Sequence, residues 1–114
     1  EEVVGWVQDR LQLGAVTVCG DRDRRRSRVA MATGAGKGMV RAALDKGADV
    51  RITGDIDHHT GIDAVAQGLA IIDAGHYGIE HIYTAYMKAF LEKRIPELKV
   101  TEEPFEEPFW IGGV

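Results

Sequence analysis

The sequence predicts a single α/β domain over residues 1–114, with a mostly parallel mixed sheet flanked by helices. Short segments rich in β-branched residues alternate with helical segments, which is the pattern of parallel strands joined by right-handed crossovers. Glycine follows three of the four helical segments, at Gly14, Gly47 and Gly68. A hydrophobic content of 45% with 28% charged residues is ordinary for a globular chain that buries one core.

The elements follow in the order helix, strand and three strand–helix units. Apolar residues from Val3 to Leu13 keep an approximate helical spacing, and Gly14 then ends a first helix over 2–13. Segments rich in β-branched residues predict strands at 15–19, 28–33, 49–53 and 69–73. The other helices are predicted at 38–46, at 60–67 with Thr60 as the cap, and at 76–95, ending before Pro96.

The composition also predicts the cellular location of the protein. No apolar stretch approaches the roughly 20 residues that span a bilayer, so we expect no membrane contact. The single cysteine, Cys19, cannot form an intramolecular disulfide, and the expected location is therefore the cytoplasm. Because the chain starts at Glu1 without an initiator Met, it is expected to be a processed piece or part of a longer protein.

All four histidines lie between residues 58 and 81, in two segments that follow apolar runs ending in Gly54 and Gly75. If both runs are strands of a parallel sheet, the polar residues after them meet at the carboxyl edge. Open α/β sheets bind their ligands at that edge. The sequence therefore predicts one functional site there.

His76 and Glu80 are the first candidate ligands, because residues four apart are neighbours on a helix. They border an apolar stripe predicted to face the core, so both side chains are expected to point inward or nearly so. Imidazole with carboxylate suits zinc, manganese or iron. Alternatively, Glu80 stabilises the first helical turn and pairs with a protonated His76. The stripe consists of Ile79, Ile82, Tyr83, Tyr86, Met87, Phe90 and Leu91.

The segment from Gly54 to His59 adds a second cluster, made of Asp55, Asp57, His58 and His59. The two aspartates could instead be turn and capping residues, and adjacent loop histidines are often only solvated. Two His and acid clusters at one end of a sheet are less easily explained by chance than either cluster alone.

These two segments, Thr53-Gly54-Asp55-Ile56-Asp57-His58-His59 and Ile72-Asp73-Ala74-Gly75-His76-Tyr77-Gly78-Ile79-Glu80, closely resemble the paired signatures of the Nif-three-like dinuclear metal centre proteins. Many members are described as GTP cyclohydrolase I type II homologues. The resemblance covers about residues 1–110. It implies that His76 and Glu80 bind a pair of divalent metal ions, that His59 lies close to them, and that the protein forms a homo-oligomer, a hexameric ring in that family.

The resemblance also implies that this chain carries only some of the family's metal ligands. Family members take their remaining metal ligands, a His pair and an Asp, from an N-terminal half, whereas this chain resembles the C-terminal half alone. Apolar surface normally packed on that half would be left exposed, so self-association is expected. The tail, with Phe105, Phe109 and Trp110, is the segment expected to contribute, as an edge or an oligomer contact.

The glycine-rich stretch at 34–38 differs from the family's Cys-Gly-Gly-Ser-Gly type of loop, and Thr33 is the nearest substitute for its Ser. The stretch is not a P-loop, because Lys37 is followed by Gly38 and residue 31 is Met. Its backbone amides could hold an anion at a helix N-terminus. Tight-turn geometry alone explains the glycines at least as well.

Five of the nine arginines lie between Arg22 and Arg28, in a chain whose net charge is −4. Such a run could bind phosphate or nucleic acid, and nucleic-acid binding would show a steep salt dependence. A solvated loop partly neutralised by Asp21 and Asp23 is the favoured interpretation.

The function predicted from these observations is metal-assisted hydrolysis of a phosphorylated or nucleotide-like substrate. His76 and Glu80 are the candidate metal ligands, and His59 and Asp55 are the catalytic candidates, with His59 as acid, base or orienting group. The alternative is a non-catalytic interaction or regulatory module, in which the metal only holds an oligomer together.

Overall fold

The computed structural model describes residues 1–113 and confirms the predicted α/β fold. The elements are α1 (Glu2–Leu11), β1 (Thr17–Cys19), β2 (Val29–Met31), α2 (Met39–Asp45), β3 (Val50–Thr53), α3 (His58–Ala66), β4 (Ala70–Asp73), α4 (His76–Glu80) and α5 (Ile82–Arg94). The four strands form one mixed sheet in the order β1-β4-β3-β2. Strands β2, β3 and β4 are mutually parallel, whereas β1 pairs antiparallel with β4 at one edge.

Helices cover both faces of the sheet, and successive side chains of β4 pack against the helices on opposite faces. Ile72 packs in a cluster with Val7 of α1 and Ile79 of α4. Ile71, the residue before it, packs in the opposite cluster with Ala43 of α2 and Ala64 of α3. Central strands covered on both faces are typical of α/β folds, and all of β3 and the first three residues of β4 are buried.

The start of α3 differs from the prediction. Asp57, not Thr60, is the N-cap, and its Oδ1 accepts a hydrogen bond from the Thr60 backbone N–H at 2.9 Å. The Thr60 hydroxyl donates to the other carboxylate oxygen at 2.6 Å. These two bonds lower the pKa of Asp57, the side-chain bond most strongly. The helix therefore begins three residues earlier than a Thr60 cap would allow, and His58 and His59 form its first turn rather than a loop.

The predicted helix over 76–95 is two helices, α4 and α5, that meet at His81. The His81 carbonyl accepts from the Thr84 N–H at 3.2 Å and from the Thr84 hydroxyl at 2.9 Å, which tightens the chain there. His81 Nε2 lies 2.7 Å from the Leu11 carbonyl oxygen, so this residue is fixed to the end of α1. No residue of α5 is buried.

The prediction that the apolar stripe faces a core is therefore wrong beyond α4. Ile79 is fully buried, but Tyr83 and Tyr86 are 62% and 67% exposed. Periodicity identifies an apolar helix face, but it does not say whether that face is covered. Here no residue of α5 is buried, and its apolar face remains open.

The described part of the tail, residues 102–113, contains no regular strand, so the edge strand predicted there is not formed. Phe105 packs against the rings of Tyr77 and His81, with centroid distances of 5.5 and 4.4 Å. Phe109 and Trp110 are largely exposed. Within residues 1–113, no helix has the length and apolar character needed to cross a bilayer.

Candidate metal centre

The two polar segments meet because β3 and β4 are parallel neighbours that end level, with Thr53 opposite Asp73. Asp73 then joins the loops that follow the strands. One of its carboxylate oxygens accepts from the N–H groups of Asp55 at 2.9 Å and Gly75 at 2.8 Å, and the other accepts from Ile56 at 2.9 Å. A side chain at the end of β4 thus fixes the backbone that carries Asp55.

Gly54 allows these loops to touch. A Cβ atom at this position would lie 2.6 Å from the Gly75 carbonyl oxygen and 2.9 Å from the His76 Cα. Contacts that short with backbone atoms do not occur, so any larger residue would push the loops apart. Asp55 follows with a φ of 58°, an uncommon backbone conformation for a residue with a side chain. The local backbone is therefore shaped to bring Asp55 against the start of α4.

The resulting side-chain cluster consists of Asp55, His76 and Glu80. His76 Nδ1 lies 3.1 Å from Asp55 Oδ2, and His76 Nε2 lies 3.4 Å from Glu80 Oε2. The predicted neighbourhood of His76 and Glu80 is confirmed, one turn apart on α4. The contact with Asp55 links residues 21 positions apart in the chain.

This geometry suits a metal ligand. When the Nδ1–H of an imidazole donates to a carboxylate, Nε2 keeps a free electron pair, and this pairing commonly orients histidines that bind metals. In His76 that lone pair would point toward the Glu80 carboxylate, and two electron-rich groups remain close only with a cation or a proton between them. His76 and Glu80 thus have the arrangement of two ligands for a divalent ion, with Asp55 placed to orient His76.

Two protein ligands are fewer than the three or four that hold a stable transition-metal ion. Within residues 1–113, no group of three or more His, Cys, Asp or Glu side chains is arranged to hold an ion. His76 and Glu80 would therefore share the ion with ligands from elsewhere.

The site is open to solvent, contrary to the expectation that both side chains point inward. The side chains of Asp55, His76 and Glu80 are 62%, 53% and 45% exposed. Gly78 and Ile79 occupy the buried side of α4, so His76 and Glu80 lie on its outer side.

Glu80 also lines a groove of about 610 Å³, which we call the Met31 groove. Its wall is mostly apolar and combines the edge strand β2 with α4 and α5. The lining residues are Met31, Thr33, Ile79, Glu80, Ile82, Tyr83 and Tyr86. Glu80 thus faces both His76 and an open apolar surface.

The other histidines have different surroundings. His58 and His59 are exposed in the first turn of α3, with their rings edge to face at 5.4 Å. Within the described part of the chain, neither forms a hydrogen bond or ion pair with Asp55, His76 or Glu80. His81 is bound to Leu11 and packed against aromatic rings, so it supports the fold rather than the cluster.

The arginine run is partly used by the fold. Arg26 Nη1 donates to the Asp49 carbonyl at 3.1 Å, and Arg28 Nη1 donates to the Lys46 carbonyl at 2.8 Å. The Asp49 side chain accepts from the backbone of Ser27 and Arg28. Burial raises the pKa of Asp49, but these bonds outweigh it, and the net shift is downward. Arg24 and Arg25 remain exposed.

Sequence reasoning missed Asp73 and Arg51. Asp73 is an acidic residue that ends an apolar strand, which is a detectable signal. Arg51 lies between Val50 and Ile52 on β3 and is only 1% exposed. An arginine inside an apolar central strand was the available signal, since charged residues are almost never fully buried without partners.

Comparison with known proteins agrees with this architecture. Residues 1–107 match the family model described as Duf34/NIF3 (NGG1p interacting factor 3). A GTP cyclohydrolase 1 type 2 homolog of Staphylococcus aureus is 32% identical over 100 residues, which cover 88% of this chain and 27% of that protein. A homolog with the same name from Bacillus subtilis is 39% identical over 77 residues, which cover 68% and 21%. The chain thus spans about a quarter of these relatives' length.

Solved structures show the same fold. The Staphylococcus aureus protein SA1388 superposes with a TM-score of 0.83 and 28% identity, covering 96% of this chain and 33% of that one. The protein ybgI, whose function is given as unknown, superposes with a TM-score of 0.82 and 30% identity, covering 95% and 43%. The family model covers nearly the whole chain, and this chain therefore belongs to the Duf34/NIF3 family.

Proposed function

We propose that this chain is part of a metal-dependent hydrolase that acts on a phosphorylated or nucleotide-like substrate. The observation that carries the proposal is the Asp55–His76–Glu80 cluster, in which one carboxylate orients an imidazole and a second faces its other nitrogen. A divalent ion of zinc, manganese or iron held there would act as a Lewis acid and make water a better nucleophile near neutral pH. The Nif-three-like resemblance suggests two such ions.

The chain's own residues would divide the remaining work. His76 and Glu80 would bind the ion, and Asp55 would hold His76 in the tautomer whose Nε2 is free. His59, in the first turn of α3, would move a proton to or from the attacking water or the leaving group. Because its ring is solvent-exposed and makes no ion pair within residues 1–113, it is free to turn toward a bound substrate.

The experiment that tests this function is hydrolysis of phosphomonoesters and nucleotides by the full-length protein. Activity is expected with zinc, manganese or iron, and a chelator should remove it. Undiminished hydrolysis after chelation would contradict the role of the metal. A protein that holds its metal but hydrolyses none of these substrates would instead favour the non-catalytic module.

The open apolar surface favours a second property, self-association. Val29 and Met31 of β2 pair with Val50 and Ile52 of β3. They therefore lie on the same sheet face as Val50 and Ile52, the face that α1 and α4 cover over β3 and β4. At the edge strand β2 that face is open, with Val29 51% and Met31 53% exposed. A contiguous apolar surface of this kind is typical of protein contacts. We propose that a second copy covers this open face, beside Glu80.

This proposal predicts that the chain is a dimer or a larger assembly at micromolar concentration. Replacing both Met31 and Tyr86 with lysine should shift the mass measured by light scattering to that of a monomer, because two charges would be buried in the contact. Replacing Ile62 with lysine is the matched control, because Ile62 is 54% exposed on α3 in the opposite layer, and it should leave the mass unchanged. A wild-type chain that is cleanly monomeric would contradict the proposal.

A further inference from the structure

In the glycine-rich loop, residues with a positive φ alternate with residues whose φ is not positive. Gly34, Gly36 and Gly38 have φ values of 59°, 53° and 82°, whereas Ala35 and Lys37 between them are not in the positive-φ region. Alternation of this kind directs successive N–H groups toward one side of the chain, which forms a concave anion-binding nest. The glycines are needed for that conformation, since a side chain disfavours it.

In this loop, carbonyl groups take part in hydrogen bonds within the protein, whereas the N–H groups do not. The Gly34 carbonyl accepts from the Thr53 hydroxyl at 3.0 Å, and the Gly36 carbonyl accepts from Arg51 Nη2 at 2.9 Å. By contrast, none of the backbone N–H groups of residues 33–38 donates a hydrogen bond to an acceptor within residues 1–113. The loop is thus fastened by its carbonyls to β3, and its donors are left for another molecule.

Arg51 places an uncompensated positive charge beneath this loop. Its side chain is 1% exposed, Nη1 is buried without a hydrogen-bond partner, and no carboxylate within residues 1–113 pairs with it. A Cβ atom at Gly36 would overlap Nη2, so the guanidinium lies directly against the loop. Such a buried charge is costly unless an opposite charge comes near. The loop is where an anion could approach it.

The loop also adjoins the candidate metal centre. A Cβ atom at Gly34 would lie 3.2 Å from Glu80 Oε1 and 3.2 Å from His76 Cε1. The Glu80 carboxylate would repel a bare anion, whereas a divalent ion between them would attract both. An anion on the loop would therefore be held next to the metal.

We propose that the loop from Thr33 to Gly38, backed by Arg51, binds the terminal phosphate of a phosphomonoester. Several N–H donors without an acceptor match the oxygens of a phosphate, and the buried cation favours a dianion over a monoanion. This inference rests on the proposed function for its biological meaning, because the phosphate would be that of the hydrolysed substrate. The binding itself does not require the metal.

The test uses inorganic phosphate and the ¹⁵N-labelled chain in the presence of a chelator. Amide resonances of residues 33–38 should shift saturably in the millimolar range, and dimethyl phosphate, a diester monoanion, should bind at least about tenfold more weakly. Arg51→Gln should weaken phosphate binding by about tenfold, since it removes the charge behind the loop. Arg25→Gln, which removes an exposed cation in the arginine run, should leave the affinity unchanged.

Glu80→Gln separates this site from the metal centre. Without metal, it should strengthen phosphate binding, because it removes the neighbouring negative charge, while it weakens metal binding. Phosphate binding that appears only with metal, or shifts confined to residues 22–28, would overturn the proposal. So would equal affinity for phosphate and dimethyl phosphate. If Arg51→Gln fails to fold by circular dichroism, the wild-type shifts and the dimethyl phosphate comparison decide the question.

Discussion

Replacing His59 with alanine is expected to lower hydrolytic turnover by the full-length protein roughly 10²- to 10⁴-fold, the usual contribution of a general acid or base. An imidazole carries one nitrogen that accepts a proton and one that donates it, so it can serve as either base or acid. Metal content and oligomer size should stay nearly unchanged, because His59 is exposed and makes no ion pair with the cluster within residues 1–113. Turnover, metal content and light scattering measured together distinguish these effects.

His58→Ala is the matched control for this substitution. His58 and His59 are neighbours in the same helical turn, with their rings 5.4 Å apart, so both substitutions perturb the turn similarly. Consecutive residues on a helix point about 100° apart, and only one of them can face the site. The control should therefore lose much less activity. If His59→Ala abolishes metal binding, His59 is a ligand, and if it changes neither activity nor metal content, the catalytic role is wrong.

The order of strands and helices was predictable because short β-branched segments and glycine-terminated helices are local signals. The helix boundary at Asp57 was not, since Asp57 and Thr60 are both good capping residues and lie three positions apart. In the fold both are used, with Asp57 as the cap and Thr60 as donor to it.

The apolar face of α5 shows a different limit of sequence analysis. The spacing of Ile82, Tyr83 and Tyr86 identified one apolar helix face correctly. Whether such a face packs on its own sheet or on another molecule depends on where the helix lies in three dimensions. The division at His81 depends on a contact with Leu11, 70 residues away, which no local pattern reveals.

The candidate site was predictable only within one element. His76 and Glu80 follow from helical spacing, but the contact between Asp55 and His76 needs the parallel register of Thr53 with Asp73 and the close approach at Gly54. The same holds for Arg51, whose contacts with the glycine-rich loop cross from β3 to the segment after β2. Long-range contacts of this kind depend on strand order, which the sequence alone did not give.

The isolated chain is expected to bind a divalent metal ion only weakly. Calorimetric titration of zinc or manganese into the 114-residue chain should show weak binding, because His76 and Glu80 supply two ligands where stable sites use about three or four. Asp55→Asn should weaken it further by about 10- to 100-fold, the usual effect of losing the partner that orients a ligating histidine. Glu92→Ala, which removes an exposed carboxylate of the same helical pairing type on α5, is the control and should change nothing.

In that titration the decisive variant is the double substitution His76→Ala with Glu80→Ala. We expect the weak heat of binding seen with the wild-type chain to disappear, while circular dichroism shows the helices intact, since both side chains lie on the exposed side of α4. Tight, stoichiometric binding of zinc or manganese that survives the double substitution would contradict the assignment of the metal centre.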